Sequence, residues 1–422
     1  MEIGSFIKLQ RVKQGMTQEE LAEGIVSMSY LSKIENLRAE ASPEVVSMLC
    51  TRLGIELDSE KNITVKEKCE QWFNLLFEVN DKKEIIEKYN ELNELMTMIR
   101  SDSYMLFEIH KIRYFLVLGE IDNALKQINS LNEVSSTFDS LCQYYWYKFR
   151  GNYNSVIGEY NQAMRMYKIA EEKLKHIHIS EEEIADLHYA VSITHSKLLN
   201  ALEAIEYSNK AIDVFQKAYN FIRCAQCHIV LGISYRRIKM YEKAIKHYNL
   251  ARHLGELNKS KQVIQLTNQN LGYLYATIGD SKEAIKCFNE VVNNEEIHLN
   301  ERLIGITNLV KEYYKIHKHD LAKQAIEQSK VLLKELPKNH VNYKFYDYII
   351  LTYQYVIDER SDEFISLVTE DFIPFLQKRK DYLNLILFSN MLGKHFESVG
   401  RYKDSVKYYK LANLTYEGVV NL

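Results

Sequence analysis

The sequence predicts an all-α protein in which a small N-terminal helical domain is followed by a solenoid of about nine helical hairpins. An Ala-centred pattern recurs every 38 to 41 residues from about residue 65 to the C-terminus. The first 57 residues break that register and carry helix-capping signals of their own. Only 3 prolines occur in 422 residues, so long helices can form without interruption. We therefore predict one domain over residues 1–60 and a second over residues 61–422.

The repeat is clearest in three well-separated segments that share offsets 0, 1, 4, 13, 17 and 20. Small residues at offsets 1, 13 and 20 allow helices to approach closely, and large residues at offsets 4 and 17 fill the space between them. This is the pattern of tetratricopeptide (TPR) helical hairpins. The three segments are Leu231, Gly232, Tyr235, Ala244, Tyr248 and Ala251; Leu271, Gly272, Tyr275, Ala284, Phe288 and Val291; and Leu392, Gly393, Phe396, Ser405, Tyr409 and Ala412.

Extending this register assigns nine repeats. Four glycines stand five residues before a repeat marker, where the first helix must end in a turn that tolerates positive φ: Gly119, Gly158, Gly279 and Gly400. Stacked hairpins of this kind form a right-handed superhelix whose inner wall, made of the first helices, suits an extended peptide. The nine markers are Ile85, Ala124, Ala163, Ala204, Ala244, Ala284, Ala322 (or Ala325), Ile365 and Ser405.

Composition narrows the class of protein. No apolar run approaches the ~18 residues of a membrane span, and no secretory signal is evident at the N-terminus, so we expect a cytoplasmic protein. The six cysteines have no framework spacing and are expected to be buried thiols. Cys224 and Cys227 lack the second ligand pair of a zinc site. No phosphate-binding glycine loop, catalytic triad or paired-carboxylate motif occurs, so we expect neither a cofactor nor catalysis.

The N-terminal segment encodes four short helices. Phe6, Leu9 and Val12 place apolar residues on one face of the first helix. Thr17 and Glu20 form a capping box that opens the second. A turn near Val26 and Ser27, to which no glycine is assigned, leads to a third helix over residues 30–35. A fourth begins at Ser42 and Pro43, a cap followed by a first-turn proline.

The strings R-x-x-x-G-M-T-Q-E-E-L-A (11–22) and S-Y-L-S-K-I-E (29–35) resemble the lambda-repressor-like helix-turn-helix family. That resemblance implies a third helix in the major groove of double-stranded DNA. By position it assigns Gln18, with Lys33 or Arg38, to the phosphate backbone. The implied groove-facing residues are Ser27, Met28, Ser29, Tyr30 and Lys33. Leu37 departs from the family pattern, since a glycine often follows the third helix.

Charge indicates that one copy binds DNA weakly. Residues 1–57 hold six basic residues against eight acidic ones, without a basic patch. Because phosphate contacts supply much of protein–DNA affinity, we expect a dimer reading a palindromic promoter site. Dimerisation must then come from the repeats, and we expect its surface in the last pair, where Tyr402, Tyr408 and Tyr416 look exposed. The alternative is a purely structural role, in which the N-terminal helical bundle caps the solenoid and does not bind DNA.

The register also indicates which side chains line the groove. Asparagine amides both donate to and accept from peptide bonds, so they can hold a main chain without selecting its side chains. Asn270 and Asn308 stand at the same place in consecutive repeats, and the basic residues favour a peptide that carries a carboxylate. Each position could equally be a solvated helix surface. The candidate peptide-binding residues are Arg113, Asn152, Arg236, Asn270, Tyr273, Asn308, Lys311, Asn390 and Lys394.

A helix-turn-helix followed by nine repeats resembles the RRNPP quorum-sensing regulators of Gram-positive bacteria, and length and repeat count are most similar to its neutral protease regulator group. The resemblance implies a receptor for a short, re-imported signalling peptide that changes the oligomeric state, from homodimer to tetramer, and activates extracellular protease genes. It also implies that the peptide-free form restrains sporulation by binding a phosphorelay response regulator.

Three alternatives stay open from the sequence alone. The first is a TPR scaffold with a non-essential DNA-binding domain. The second is a phosphatase of a response regulator, for which no catalytic glutamine can be aligned. The third is a related regulator that answers a different peptide. Salt-sensitive binding to promoter DNA would separate the first from the others, and loss of phosphate from a phosphorylated response regulator would identify the second.

Overall fold

A computed structural model describes residues 3–55, 59–78, 82–98 and 103–420. Within these ranges every regular element is a helix. Contacts divide the chain into two compact units, residues 1–238 and 239–422. The N-terminal domain therefore packs with the first repeats inside one unit. The predicted domain boundary at residue 60 stays a prediction.

The four predicted N-terminal helices are present as α1 (Ile3–Lys13), α2 (Gln18–Ala22), α3 (Met28–Glu35) and α4 (Pro43–Arg52). Thr17 and Glu20 form the predicted capping box, and the Ser42 side chain caps α4 ahead of Pro43. The turn between α2 and α3 does contain a glycine, Gly24 at φ 68°, so the expectation of a turn without one is wrong. Leu37 takes φ 59°, the conformation a glycine would adopt without strain after α3.

The remaining helices follow the predicted first-and-second order of nine repeats within the described residues. The N-terminal unit holds α5 (Ser59–Glu78), α6 (Lys82–Met98), α7 (Tyr104–Leu118), α8 (Ile121–Asn132), α9 (Ser140–Val156), α10 (Tyr160–Lys173), α11 (Glu181–Lys197), α12 (Ala201–Lys217) and α13 (Phe221–Arg237). The C-terminal unit holds α14 (Tyr241–Leu257), α15 (Lys261–Ile278), α16 (Ser281–Val292), α17 (Leu299–Lys315), α18 (His319–Glu335), α19 (Tyr343–Ile357), α20 (Ser361–Ser366), α21 (Ile373–Arg379), α22 (Tyr382–Ser398) and α23 (Tyr402–Val420).

A left-handed residue ends the first helix of eight repeats. The four predicted glycines have positive φ, and four other residues take the same conformation without being glycine: Leu199, Lys239, His317 and Glu359. His317 lies five residues before Ala322, which makes Ala322 rather than Ala325 the seventh marker. Glu359 lies five residues before Phe364, which is fully buried, whereas Ile365 is only partly buried. The marker Ile365 is therefore wrong by one residue. A π-helical turn over Leu367–Phe372 follows in the same repeat.

Close helix approach explains the glycine at offset 1. A Cβ on Gly272 would lie 2.5 Å from the Phe288 ring, and one on Gly151 would lie 2.4 Å from the Tyr167 ring. In both hairpins the aromatic residue of the second helix thus rests on the bare backbone of the first. This contact is the physical basis of the small–large pairing in the repeat.

The N-terminal domain packs on the third helix of the repeat region. Phe6 of α1 meets Tyr104 of α7 edge to face, with ring centroids 5.1 Å apart. The Lys13 ammonium lies 2.6 Å from the Glu108 carboxylate, which is buried, and 3.0 Å from the Tyr104 hydroxyl. Burial lowers the pKa of Lys13, and the nearby Glu108 carboxylate opposes that shift. Together these contacts fix α1 on α7.

Several surface and core expectations can be compared directly. All six cysteines are free and buried. Tyr402 and Tyr416 are exposed, but Tyr408 is only 8% exposed and stacks on Phe396, so its predicted exposure is wrong. No helix in the described part of the chain is long and apolar enough to cross a membrane. The same residues contain no group of three His, Cys, Asp or Glu side chains arranged to hold a metal ion.

Candidate functional site

The first candidate surface is the outer face of α3 in the N-terminal domain. Met28 is 55% exposed, and Ser29, Lys33 and Arg38 are exposed as well. The exposed Ser27 caps the helix, since its hydroxyl accepts the Tyr30 backbone N–H at 3.2 Å. The α3 face thus presents short polar side chains, one thioether and the Lys33 cation, and Arg38 follows the helix, which suits a helix that enters a DNA groove.

Tyr30 and Gln18 have structural partners behind that face. The Tyr30 hydroxyl donates to the Glu40 carbonyl at 2.8 Å. Glu35, fully buried, accepts two bonds from the Arg11 guanidinium at 2.6 and 3.0 Å and one from the Gln18 amide at 2.6 Å. Gln18 therefore braces α2 against α3, which leaves one amide hydrogen for the predicted phosphate contact.

A second candidate surface is the wall of first helices in the N-terminal unit, where α7 contacts α9, α9 contacts α11 and α11 contacts α13. Lys148 of α9 is completely buried and lies 2.9 Å from the Asp186 carboxylate of α11. Arg223 of α13 pairs with the other Asp186 oxygen. The two cations hold the pKa of Asp186 well below its usual range even though burial opposes that shift.

Around this cluster the wall encloses a cavity of about 240 Å³ lined by Phe77, Glu183, Asp186 and Arg223 among others. The Glu183 carboxylate accepts the Tyr145 hydroxyl, and the Glu183 carbonyl accepts Lys148 at 3.2 Å. Arg113, one of the predicted groove residues, donates to the Leu76 carbonyl at 3.2 Å and lies over Phe77. Most charges of this wall are thus already paired within the unit.

Two predicted residues of the N-terminal unit, Asn152 and Arg236, keep a buried donor without a partner in the described residues. The Asn152 Oδ1 accepts the Tyr167 hydroxyl at 2.8 Å, which fixes the orientation of the amide. Its Nδ2 is buried without a hydrogen-bond partner among the described residues. Arg236, on α13, similarly keeps a buried Nε without a partner there. Both predicted residues therefore hold an unused donor, a state that proteins seldom leave unfilled.

In the C-terminal unit the predicted pair of asparagines shares a register but not an environment. Asn270 is partly buried, and its amide donates to the Leu266 carbonyl of its own helix at 2.8 Å. Asn308 is 6% exposed, and its Nδ2 is buried without a partner in the described part of the chain. Tyr273 packs on Phe288 at a centroid distance of 5.7 Å. Asn308 is therefore the stronger binding candidate of the two.

Lys311 follows Asn308 by one turn of α17. Its ammonium lies 3.5 Å from Asn384 Oδ1, at the start of α22. Desolvation lowers the pKa of Lys311 to about 8, with Asp381 opposing the shift. The last two predicted residues, Asn390 and Lys394, lie further along α22 and line a cavity of about 700 Å³ together with Tyr314, Tyr353 and His395.

Comparison with known proteins shows which families share this architecture. A helix-turn-helix family matches residues 7–59, and the soluble NSF attachment protein (SNAP) family matches residues 147–315. The transcriptional activator NprA of Geobacillus stearothermophilus is 30% identical over 407 residues, which span 95% of this chain and 100% of NprA. The chain belongs to the RRNPP family of quorum-sensing regulators. Within that family it is NprR-like, as the sequence predicted.

Two solved RRNPP structures share the fold. The apo form of the quorum sensor NprR from B. thuringiensis superposes with a TM-score of 0.71 at 19% identity, covering 84% of this chain and 99% of NprR. NprR in complex with its cognate peptide NprX gives a TM-score of 0.60 at 20% identity, covering 84% of this chain and 98% of that one. The all-helical RRNPP fold predicted from the sequence is thereby confirmed.

Sequence reasoning missed several residues of these candidate surfaces. Lys148, Asp186 and Arg223 pair across three repeats, and pairs 37 or 38 positions apart give no local signal. In the C-terminal unit it missed Asn384 and three buried groups with an unused polar atom in the described residues: Thr267, Asn268 and Ser389. Asn268 stands one helical turn before Leu271 of the repeat pattern, a spacing at which the search for wall residues could have found it.

Proposed function

We propose that this protein is a cytoplasmic, peptide-responsive transcriptional regulator. An imported signalling peptide binds the wall of first helices, changes a homodimer into a tetramer and switches binding to a palindromic promoter site, which activates extracellular protease genes. The peptide-free form restrains sporulation by binding a phosphorelay response regulator. The observation that carries the proposal is made in each unit separately: Asn152 in the N-terminal unit and Asn308 in the C-terminal unit each keep a buried amide Nδ2 that has no partner in the described residues.

The chemistry of those amides supports an extended peptide as the ligand. A buried donor without a partner costs roughly 1–3 kcal/mol, and a peptide carbonyl recovers that cost. Because each amide engages main-chain atoms, many peptide sequences can be held while other pockets select among them. NprR, which shares this fold, has been solved in complex with its cognate peptide NprX, and this supports a peptide as the class of ligand.

Light-scattering mass tests the switch. The purified protein is measured alone and with synthetic peptides encoded by small open reading frames immediately downstream of its gene. We expect one peptide to raise the mass about twofold, as a dimer-to-tetramer change requires. No change with any candidate, while circular dichroism shows intact helices, would contradict the proposal.

A pair of asparagine variants locates the switch on the wall. Asn308→Ala removes a buried donor that has no partner in the described residues, so we expect it to weaken the peptide response at least tenfold. Asn270→Ala is the matched control, since its amide is already bonded to its own helix. Equal responses from both variants would refute the placement at Asn308.

The proposed DNA-binding face of α3 is tested separately. Lys33 is exposed on α3, and Lys286 is exposed on α16, away from the N-terminal domain in sequence and fold unit. We expect Lys33→Ala to lower affinity for the protein's own promoter fragment and to reduce the salt slope of binding by about one, as the loss of a phosphate contact does. Lys286→Ala should change neither quantity. Unchanged DNA binding in Lys33→Ala would exclude this face as the reader.

A further inference from the structure

Lys311 is a partly buried cation that has no ion pair in the described residues. Its one polar neighbour there is Asn384 Oδ1, at the long distance of 3.5 Å. Asp381, whose negative charge acts on Lys311, makes its hydrogen bonds elsewhere: its Oδ1 accepts the Asn384 backbone N–H at 3.3 Å, and its Oδ2 accepts the Asn384 amide at 2.8 Å. The Asp381 carboxylate thus caps α22 instead of pairing with Lys311.

Asn308 supplies a second donor beside that cation. Residues three apart on a helix are neighbours on one face, with Cβ atoms about 5–6 Å apart. The Asn308 Nδ2 is buried and has no partner in the described residues. An ammonium and an amide N–H, both short of acceptors and one turn apart, match the two oxygens of a carboxylate.

Room for the rest of a ligand lies directly beyond this pair. Tyr314 follows Lys311 by three positions on α17, and Leu387 follows Asn384 by three positions on α22. Both residues line the cavity of about 700 Å³. The donor pair therefore lies one helical turn from a cavity with aromatic walls, large enough for a peptide side chain.

We propose that Lys311 and Asn308 form a carboxylate-binding subsite in the wall of the C-terminal unit, which takes the C-terminal carboxylate or an acidic side chain of the bound peptide. The inference rests on the proposed peptide receptor and adds the chemical class of one contact. A carboxylate at this point accepts from both donors and supplies the charge that Lys311 lacks. Binding of an uncharged peptide here leaves the ammonium unpaired.

The experiment begins with a random octapeptide pool mixed with the full-length protein. Peptides that co-elute with it in size exclusion are identified by mass spectrometry. The most retained peptide is resynthesised in three forms: the free acid, the C-terminal amide, and the free acid with every Asp and Glu changed to Asn and Gln. Each form is titrated calorimetrically into the wild type, Lys311→Met, Asn308→Ala and the control Lys286→Met, whose side chain is 64% exposed.

We expect Lys311→Met to weaken binding of the free-acid peptide by about 10- to 100-fold, the range of a charge-assisted hydrogen bond. Lys286→Met should leave the affinity unchanged. If amidation of the peptide removes the Lys311→Met penalty, the C-terminal carboxylate is the ligand. If the exchange of acidic side chains removes it, a side-chain carboxylate is. Asn308→Ala should weaken the same form of the peptide, and Lys311→Arg should retain most of the affinity.

Two results would contradict the carboxylate-binding subsite without contradicting the proposed peptide-receptor function. One is tight peptide binding that Lys311→Met does not change. The other is a Lys311→Met penalty that is equal for all three forms, which means that no carboxylate is recognised there. If the wild-type protein retains no peptide from the pool, the proposed receptor function fails together with the subsite. Thermal unfolding of each variant confirms that the comparison is made on folded protein.

Discussion

The two fold units treat a buried lysine in opposite ways. In the N-terminal unit Lys148 has no exposed side-chain surface and lies 2.9 Å from Asp186, which also pairs with Arg223. In the C-terminal unit the one hydrogen-bond partner of Lys311 among the described residues is the Asn384 amide oxygen, at 3.5 Å. Both ammonium groups lose hydration, but only the first recovers it through protein carboxylates. Lys148 therefore links neighbouring repeats through its ion pair, whereas Lys311 is the cation that we propose binds a peptide carboxylate.

The first prediction removes the anion from the saturated cluster. Asp186→Asn leaves Lys148 and Arg223 without a counter-charge in a buried place, and breaking such a pair typically costs about 3–5 kcal/mol. We expect the free energy of unfolding to fall by that amount, measured by urea denaturation. Asp213→Asn, an exposed aspartate on α12, should stay within about 0.5 kcal/mol of the wild type.

If Asp186→Asn lowers the free energy of unfolding by less than about 1 kcal/mol, the ion pairs of Lys148 and Arg223 with Asp186 contribute little. Lys148 would then not differ from Lys311 in the way proposed. Acid provides an independent reading of the same residue. The pKa of Asp186 is held below its usual range in the folded state, so its contribution is present above about pH 4 and is lost as pH falls through the folded pKa. The wild type should therefore lose its advantage over Asp186→Asn on acidification.

The second prediction concerns the unpaired cation. The folded state lowers the pKa of Lys311 to about 8 through desolvation, and the negative charge of Asp381 opposes that shift. The unfolded chain therefore holds this proton up to about pH 10.5, and wild-type stability should rise between pH 8 and pH 10.5. Partial exposure reduces the effect, so Lys311→Met should be about 1–2 kcal/mol more stable at pH 7.

The advantage of Lys311→Met should then shrink as pH rises through that interval. Thermal unfolding of the two proteins at pH 7 and at pH 10 checks both parts of the prediction. A variant that is less stable than the wild type at pH 7 would mean that Lys311 already has a stabilising partner. In that case the contrast with Lys148 would disappear.

The third and smallest prediction sharpens the role of Asp381. Its side chain caps α22, so Asp381→Ala should cost about 1 kcal/mol. The same change removes the one carboxylate that raises the pKa of Lys311, so that pKa should fall further. A cost near 4 kcal/mol, measured by urea denaturation, would instead indicate a true ion pair between Asp381 and Lys311.

Much of the fold could be predicted because it depends on residues that lie close together in the sequence. The capping box at Thr17, the glycine turns and the small–large pairs each lie within about 20 residues, where sequence reports geometry directly. The missed details have local causes as well. The left-handed residue Glu359 places the eighth marker at Phe364 instead of Ile365, and Gly24 supplies a turn that was expected to lack a glycine.

The candidate site could be predicted only in part. The register indicated Asn152, Asn308 and Lys311 as wall residues, but it could not separate Asn308 from Asn270. That difference depends on whether the amide bonds to its own helix, as Asn270 does, or is buried without a partner in the described residues, as Asn308 is. Likewise, Gln18 gave the signal of a phosphate contact, yet the buried Glu35 that it bonds stands 17 positions later. Side-chain hydrogen bonds, which the repeat spacing does not report, decide both cases.

The most direct test of this account is a carbon-13 NMR titration of protein labelled at the lysine ε-carbons, with Lys311→Arg to assign the resonance. The account predicts that Lys311 titrates near pH 8 in the peptide-free protein and that its pKa rises toward 10.5 when a carboxylate peptide binds. A Lys311 that titrates above pH 10 without any ligand would show that its charge is already compensated, and the claim of an open subsite would be false.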